Sequence, residues 1–113
     1  MSGRPAALLL EDMYEAIEKI ERFLCGLDRD AFLQDDRTVD AVVRNLEIIG
    51  EAAGRLSEEF RSSHPGIEWR RMVGLRNRIV HDYFGIDLEI VWTILEQELP
   101  GLKEKIRLLR TTP

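Results

Sequence analysis

"VDAVVRNLEIIGEAAGRLSEEF", residues 39–60, decides the fold class. Val39, Val42, Val43, Leu46, Ile49, Ala53, Leu56 and Phe60 recur at steps of three and four, which places them along one side of a helix and leaves the charged residues on the other. Asp35 and Asp36 precede the stripe as possible N-caps, because a short carboxylate can accept from the free amides of a first turn. A helix this long with one apolar face must bury that face against other helices, so the stretch predicts a bundle.

The same period extends in both directions. Leu10, Met13, Tyr14, Ile17, Ile20, Leu24 and Leu27 predict an amphipathic helix over about 8–27, loosened by Gly26 and the Asp28-Arg29-Asp30 run. Between the two helices, Ala31 to Leu33 suit a short helical turn. "SSHPG", residues 62–66, predicts a loop, since proline and glycine together favour a turn over regular structure. From Glu68 or Trp69 to about Tyr83 the helical period returns, and Gly85 is placed to end it with positive φ. Asp87 is an N-cap candidate for a fourth helix carrying Leu88, Val91, Trp92, Leu95 and Leu99. Pro100 suits the first turn of a further segment in which Leu102, Ile106 and Leu109 continue the stripe. The expected architecture is all-α: an up-and-down four-helix bundle with a short C-terminal helical extension, forming a single domain over residues 1–113.

Composition narrows the class further. A chain that is 44% hydrophobic and 33% charged reads as a soluble globular protein. Its one cysteine, Cys25, cannot form a disulfide within the chain, which points to a reducing compartment. The longest apolar run, Ala6 to Leu10, is far too short to span a membrane, and acidic residues follow it at once, unlike a secretory leader; a cytoplasmic protein without membrane association is expected. A net charge of −5 argues against a protein that coats nucleic acid through a broad basic surface, but not against a local basic cleft. Arg61, Arg70, Arg71, Arg76 and Arg78 do crowd the middle of the chain, although a solvated helix face is the ordinary explanation of such a cluster.

Within "RNRIVHDYF", residues 76–84, Arg76 falls in the middle of the apolar face, among Met72, Val73, Ile79, Val80 and Tyr83. An unpaired buried charge is costly, so Arg76 must either join a buried salt bridge, with Glu47 or Glu51 as candidates, or face a partner. Asn77 and His81 lie four apart on the flank of that face. Histidine can move a proton near neutral pH, and the planar fork of arginine holds phosphate oxygens in pairs, so the set suits phosphodiester chemistry. A zinc centre is not expected, because neither His64 nor His81 has a Cys or His at ligand spacing. No cofactor motif is present: there is no glycine-rich phosphate loop and no nucleophile elbow. Trp69 and Trp92 read as core anchors.

"LRNRIVHDYFGIDLEIVW", residues 75–92, resembles the signature of the HepT-like branch of the HEPN superfamily: an arginine, four residues, a histidine, one residue and a tyrosine, here Arg76, His81 and Tyr83 with Asn77 in the polar position. "VVRNLEIIGEAAGRL" at 42–56 and "LPGLKEKI" near the C-terminus are also similar to this family, so the likeness spans nearly the whole chain. The resemblance implies an all-α homodimer whose two motifs line a shared cleft, acting as a metal-independent endoribonuclease toxin on RNA. It implies a cognate MNT-type nucleotidyltransferase as antitoxin, in a type VII-like module, attaching AMP to Tyr83. Arg76, His81 and Asn77 would then be catalytic, with Arg76 on the scissile phosphate, His81 as general acid or base and Asn77 orienting one of them. The alternative is a non-catalytic dimer that binds the nucleotidyltransferase or a nucleotide.

Overall fold

The computed structural model describes residues 3–81 and 85–110, the side chains of residues 80 and 81 excepted. The described residues form seven helices: α1 Ala6–Leu24, α2 Arg29–Gln34, α3 Asp36–Arg55, α4 Glu58–Ser63, α5 Trp69–His81, α6 Leu88–Gln97 and α7 Leu99–Arg110. The protein is an all-α bundle, as the stripes require.

Helix α3 is the central member, packed against α1 on one side and α5 on the other, while α7 lies on α1 and α6 on α7. Met13, Ile17 and Ile20 of α1, Val42 and Ala53 of α3 and Ile106 of α7 are wholly or almost wholly shielded from solvent. Burying each large aliphatic side chain is worth about 1.5–3 kcal/mol, so this shared core is what holds the helices together. Ion pairs fix directions rather than supply much stability. Lys103 Nζ meets Glu21 at 2.7 Å and Arg110 Nε meets Glu11 at 2.8 Å, which runs α7 antiparallel to α1. The C-terminal segment thus closes the bundle, with Arg110 also lying 3.9 Å over the Tyr14 ring.

Local chemistry sets the helix ends. Asp35 caps α3 by accepting from the Thr38 amide at 3.1 Å and from its hydroxyl at 2.8 Å. The same contacts, the backbone amide first, hold the Asp35 carboxyl below its ordinary value. Asp28 caps α2 through the Ala31 amide, and Asp87 caps α6 through the Glu89 amide. Helix α2 is a full short helix rather than a turn, and it buries Phe32 completely, with the ring 5.4 Å from that of Trp92.

Two boundaries depart from the sequence reading. Helix α1 ends at Leu24, three residues early, where Gly26 takes a φ of 82° that a side chain would resist. The stripe from Val39 to Phe60 is divided between α3 and α4, because Leu56 turns extended and the Ser57 hydroxyl caps a new helix at the Phe60 amide. Glu58 and Glu59 then favour a fresh N-terminus through the helix dipole. Beyond α4, the His64 to Glu68 loop is held by the Trp69 indole, which donates to the His64 carbonyl at 3.0 Å. Tyr83, near the expected end of α5, lies outside the description, whereas Gly85 is described and is not among the glycines with positive φ, Gly26 being the one that has it.

Candidate functional site

Helix α5 carries the motif, and glycine lets α3 come close to it. A Cβ added at Gly50 would stand 2.3 Å from the Arg76 Cβ and 2.6 Å from the Met72 carbonyl oxygen, whereas one at Gly54 would meet Val73 Cγ2 at 3.6 Å. Gly50 thus sits between two successive turns of α5, those of Met72 and Arg76. The root of Arg76 is therefore pressed against the backbone of α3.

The far end of Arg76 has no counter-charge among the described residues. Both candidate partners are engaged along their own helix: Glu47 with Arg44 at 2.6 Å, and Glu51 with Arg55 at 2.9 Å. Among the described residues the buried salt bridge that the sequence left open does not form. Arg76 Nη1 donates to Asn77 Oδ1 at 3.3 Å, while its Nε is buried and has no hydrogen-bond partner. An unsatisfied buried donor typically costs about 1–3 kcal/mol, and the cost is greater for a charged group. Helix α5 bears this where an aliphatic residue would pack without penalty.

Of the four residues singled out by sequence, the structure brings Arg76 and Asn77 together on α5. His81 is the last residue of α5, one turn beyond Asn77 along the backbone, and its side chain lies outside the description, as does all of Tyr83. Met72 and Leu75, neighbours of Arg76 on α5, line a groove of about 330 Å³ with Leu46 and Ile49 of α3 and Leu102 of α7. Trp69 is buried and Trp92 is packed against the core, in keeping with their anchoring role. Among the described residues no helix is long and apolar enough to cross a membrane, and no group of three or more His, Cys, Asp or Glu is placed to hold a metal ion.

Sequence reasoning passed over one contributor and took another for an ordinary surface charge. Gly50 admits Arg76 to its position; the signal was the four-residue spacing of Gly50 and Gly54 inside a helix, where glycine otherwise costs stability. Arg61 on α4, which the sequence placed in the basic cluster and read as part of a solvated helix face, is the other described residue with a buried side-chain nitrogen lacking a partner.

Fold and site together define a helical-bundle protein that holds an uncompensated cation and an amide side by side at the surface of one helix. The family model described as "Ribonuclease HepT-like" matches residues 13–109, and the chain belongs to that family. A Thermococcus cleftensis protein named "Probable ribonuclease HepT" is 44% identical over 101 residues, covering 89% of this chain and 92% of that one. A Methanocaldococcus jannaschii protein named "Putative RNase MJ1380" is 36% identical over 109 residues, covering 96% of this chain and 100% of that one. No solved structure matches the chain.

Proposed function

We propose that the protein is a metal-independent endoribonuclease, the toxin of a type VII-like HEPN/MNT toxin–antitoxin module in the cytoplasm. The observation that carries this reading is Arg76: a partly buried guanidinium on the motif helix with its Nε unsatisfied and both carboxylates that the sequence offered it engaged elsewhere. A phosphodiester supplies the missing negative charge, and the names of the relatives point to RNA.

The chemistry follows from the roles these side chains can play. His81 takes the proton of the ribose 2′-hydroxyl, and the freed oxygen forms a bond to phosphorus as the bond to the 5′-oxygen breaks. The leaving oxygen takes a proton from water, and the proton held by His81 returns to solvent, leaving a 2′,3′-cyclic phosphate and a 5′-hydroxyl end. Arg76 pairs with the non-bridging oxygens, whose charge grows in the transition state, and Asn77 fixes the guanidinium through its amide oxygen. Two subunits would bring two such helices to one cleft, with the apolar groove beside Arg76 contributing surface for association. An MNT-type nucleotidyltransferase would silence the enzyme by attaching AMP to Tyr83.

The test is a cleavage assay on single-stranded RNA with excess EDTA and with a deoxy substitution at the cut site. Undiminished cleavage in EDTA together with resistance of the deoxy substrate is expected. Cleavage that stops in EDTA and returns with magnesium would refute the mechanism.

A further inference from the structure

A second basic site lies at the corner where α4 meets α5. Arg61 of α4 and Arg70 of α5 line one open cleft of about 580 Å³, together with Ser62 and Trp69. Neither arginine forms an ion pair among the described residues, although the chain carries 21 acidic residues against 16 basic ones and most of its other cations find a carboxylate. The local acids do not neutralise them. Glu58 stands three residues before Arg61 on α4 without pairing to it, and Glu68 is drawn to Arg71, which also holds Glu98 at 2.7 Å. Arg61 Nε is buried without a hydrogen-bond partner, the same signature that marks Arg76.

The position of Arg70 adds to the anomaly. It is the second residue of α5, whose first turn holds no acid, although the positive end of a helix dipole disfavours a cation there. An incoming anion would relieve both. Seven residues separate Arg70 from Asn77, two turns on the same side of α5, and Gly74 lies between them with open space where a Cβ would be. Arg70, Gly74 and Asn77 are all exposed, so the helix surface between the two side chains is open at its midpoint. Arg70 and Arg76 are about 9 Å apart along the axis at the usual rise per residue.

We infer that Arg61 and Arg70 form an accessory phosphate subsite that holds the RNA strand a short distance from the bond cleaved beside Arg76. The inference rests on the ribonuclease reading, and it assigns to this corner the work of substrate affinity rather than of chemistry. A strand laid across Gly74 places one phosphate at Arg76 and another between Arg61 and Arg70. Their contribution is electrostatic, so it falls as salt rises.

The experiment compares wild type with Arg61→Gln/Arg70→Gln and with the charge-keeping Arg61→Lys/Arg70→Lys. Binding of a fluorescein-labelled single-stranded RNA is read by anisotropy across a salt series, and cleavage of the same RNA is read separately. The glutamine variant should keep its melting temperature, bind about tenfold more weakly, and lose about 0.7 from the slope of log affinity against log salt for each phosphate contact removed. Its loss in cleavage should fall on KM, with kcat kept, and the lysine variant should recover most of the affinity. Wild-type affinity and salt slope in the glutamine variant would overturn the subsite, as would loss of nucleotidyltransferase binding with RNA binding intact. If wild-type protein binds RNA through these arginines but never cuts it, the ribonuclease reading fails while the subsite stands.

Discussion

Gly50→Ala should loosen the protein and disable it, against the ordinary expectation for glycine in a helix. In a free helix the change to alanine is favourable by up to about 1 kcal/mol. At Gly50 the new Cβ meets the Arg76 Cβ at 2.3 Å and the Met72 carbonyl oxygen at 2.6 Å. Neither can swing aside, because one is the root of a side chain and the other is backbone. Reaching ordinary carbon contact requires α3 and α5 to part by about 1 Å. Overpacking of this kind costs about 1–3 kcal/mol, and two rigid neighbours place it at the upper end. After the helix gain is subtracted, a net loss of about 2 kcal/mol remains, a fall of about 8 °C in melting temperature for a domain of this size. Because the shift moves the root of Arg76, RNA cleavage should drop by up to about 100-fold. Gly54→Ala is the matched control: its Cβ would meet Val73 Cγ2 at an ordinary 3.6 Å, so stability should hold or rise by up to about 1 kcal/mol. Circular dichroism melts and urea titrations of both variants, with cleavage assays beside them, read these effects. A Gly50→Ala protein as stable and active as wild type would refute the close approach and its role in placing Arg76.

Asp35→Ala should lower the urea midpoint at neutral pH, and the difference from wild type should shrink as pH falls. The Thr38 contacts depress the Asp35 carboxyl from 3.8 in the folded state, so its contribution is present above that value and is lost as pH drops through the folded one. Urea titrations between neutral pH and the acid limb would show this, and a difference independent of pH would contradict it. Tyr83→Phe should remain folded and escape inhibition by the nucleotidyltransferase with ATP, while wild type gains adenylyl mass on the peptide containing Tyr83 and stops cutting. A Phe variant silenced by catalytic amounts of the partner and ATP would place control elsewhere. Sedimentation should report a mass near twice 13.1 kDa; a cleaving monomer would remove the shared cleft.

The long helices were legible because each has to bury one face, and Val39 to Ala53 or Leu10 to Ile20 can do so in only one way. The break at Ser57 was hidden by that same regularity. Leu56 and Phe60 keep the apolar period across it, and only the serine cap with two following glutamates announces a new helix. Phe32 shows the converse: six residues are too few for a periodic signal, yet the ring is a wholly buried core member. At the site, the oddity of Arg76 could be read from its place on an apolar face. That no salt bridge holds it among the described residues could not, because Glu47 and Glu51 were open candidates and instead pair with arginines on their own helix. Gly50 was readable only in part: its spacing from Gly54 marks a helical face of small residues, but the neighbour that presses on it is known only from the fold.

The most direct measurement is the rate and end chemistry of RNA cleavage by wild type, Arg76→Ala and His81→Ala, taken with the melting temperature of each. Arg76 is held by no ion pair among the described residues, so its removal should lower the melting temperature by no more than a few degrees while cutting the rate by about 100-fold or more. Wild type should leave 2′,3′-cyclic phosphate and 5′-hydroxyl ends, and His81→Ala should leave RNA intact. An Arg76→Ala protein that unfolds, or loses the roughly 3–5 kcal/mol typical of a broken buried pair, would show that the arginine serves the fold. One that stays folded and cuts RNA at the wild-type rate would show that the phosphate is held elsewhere.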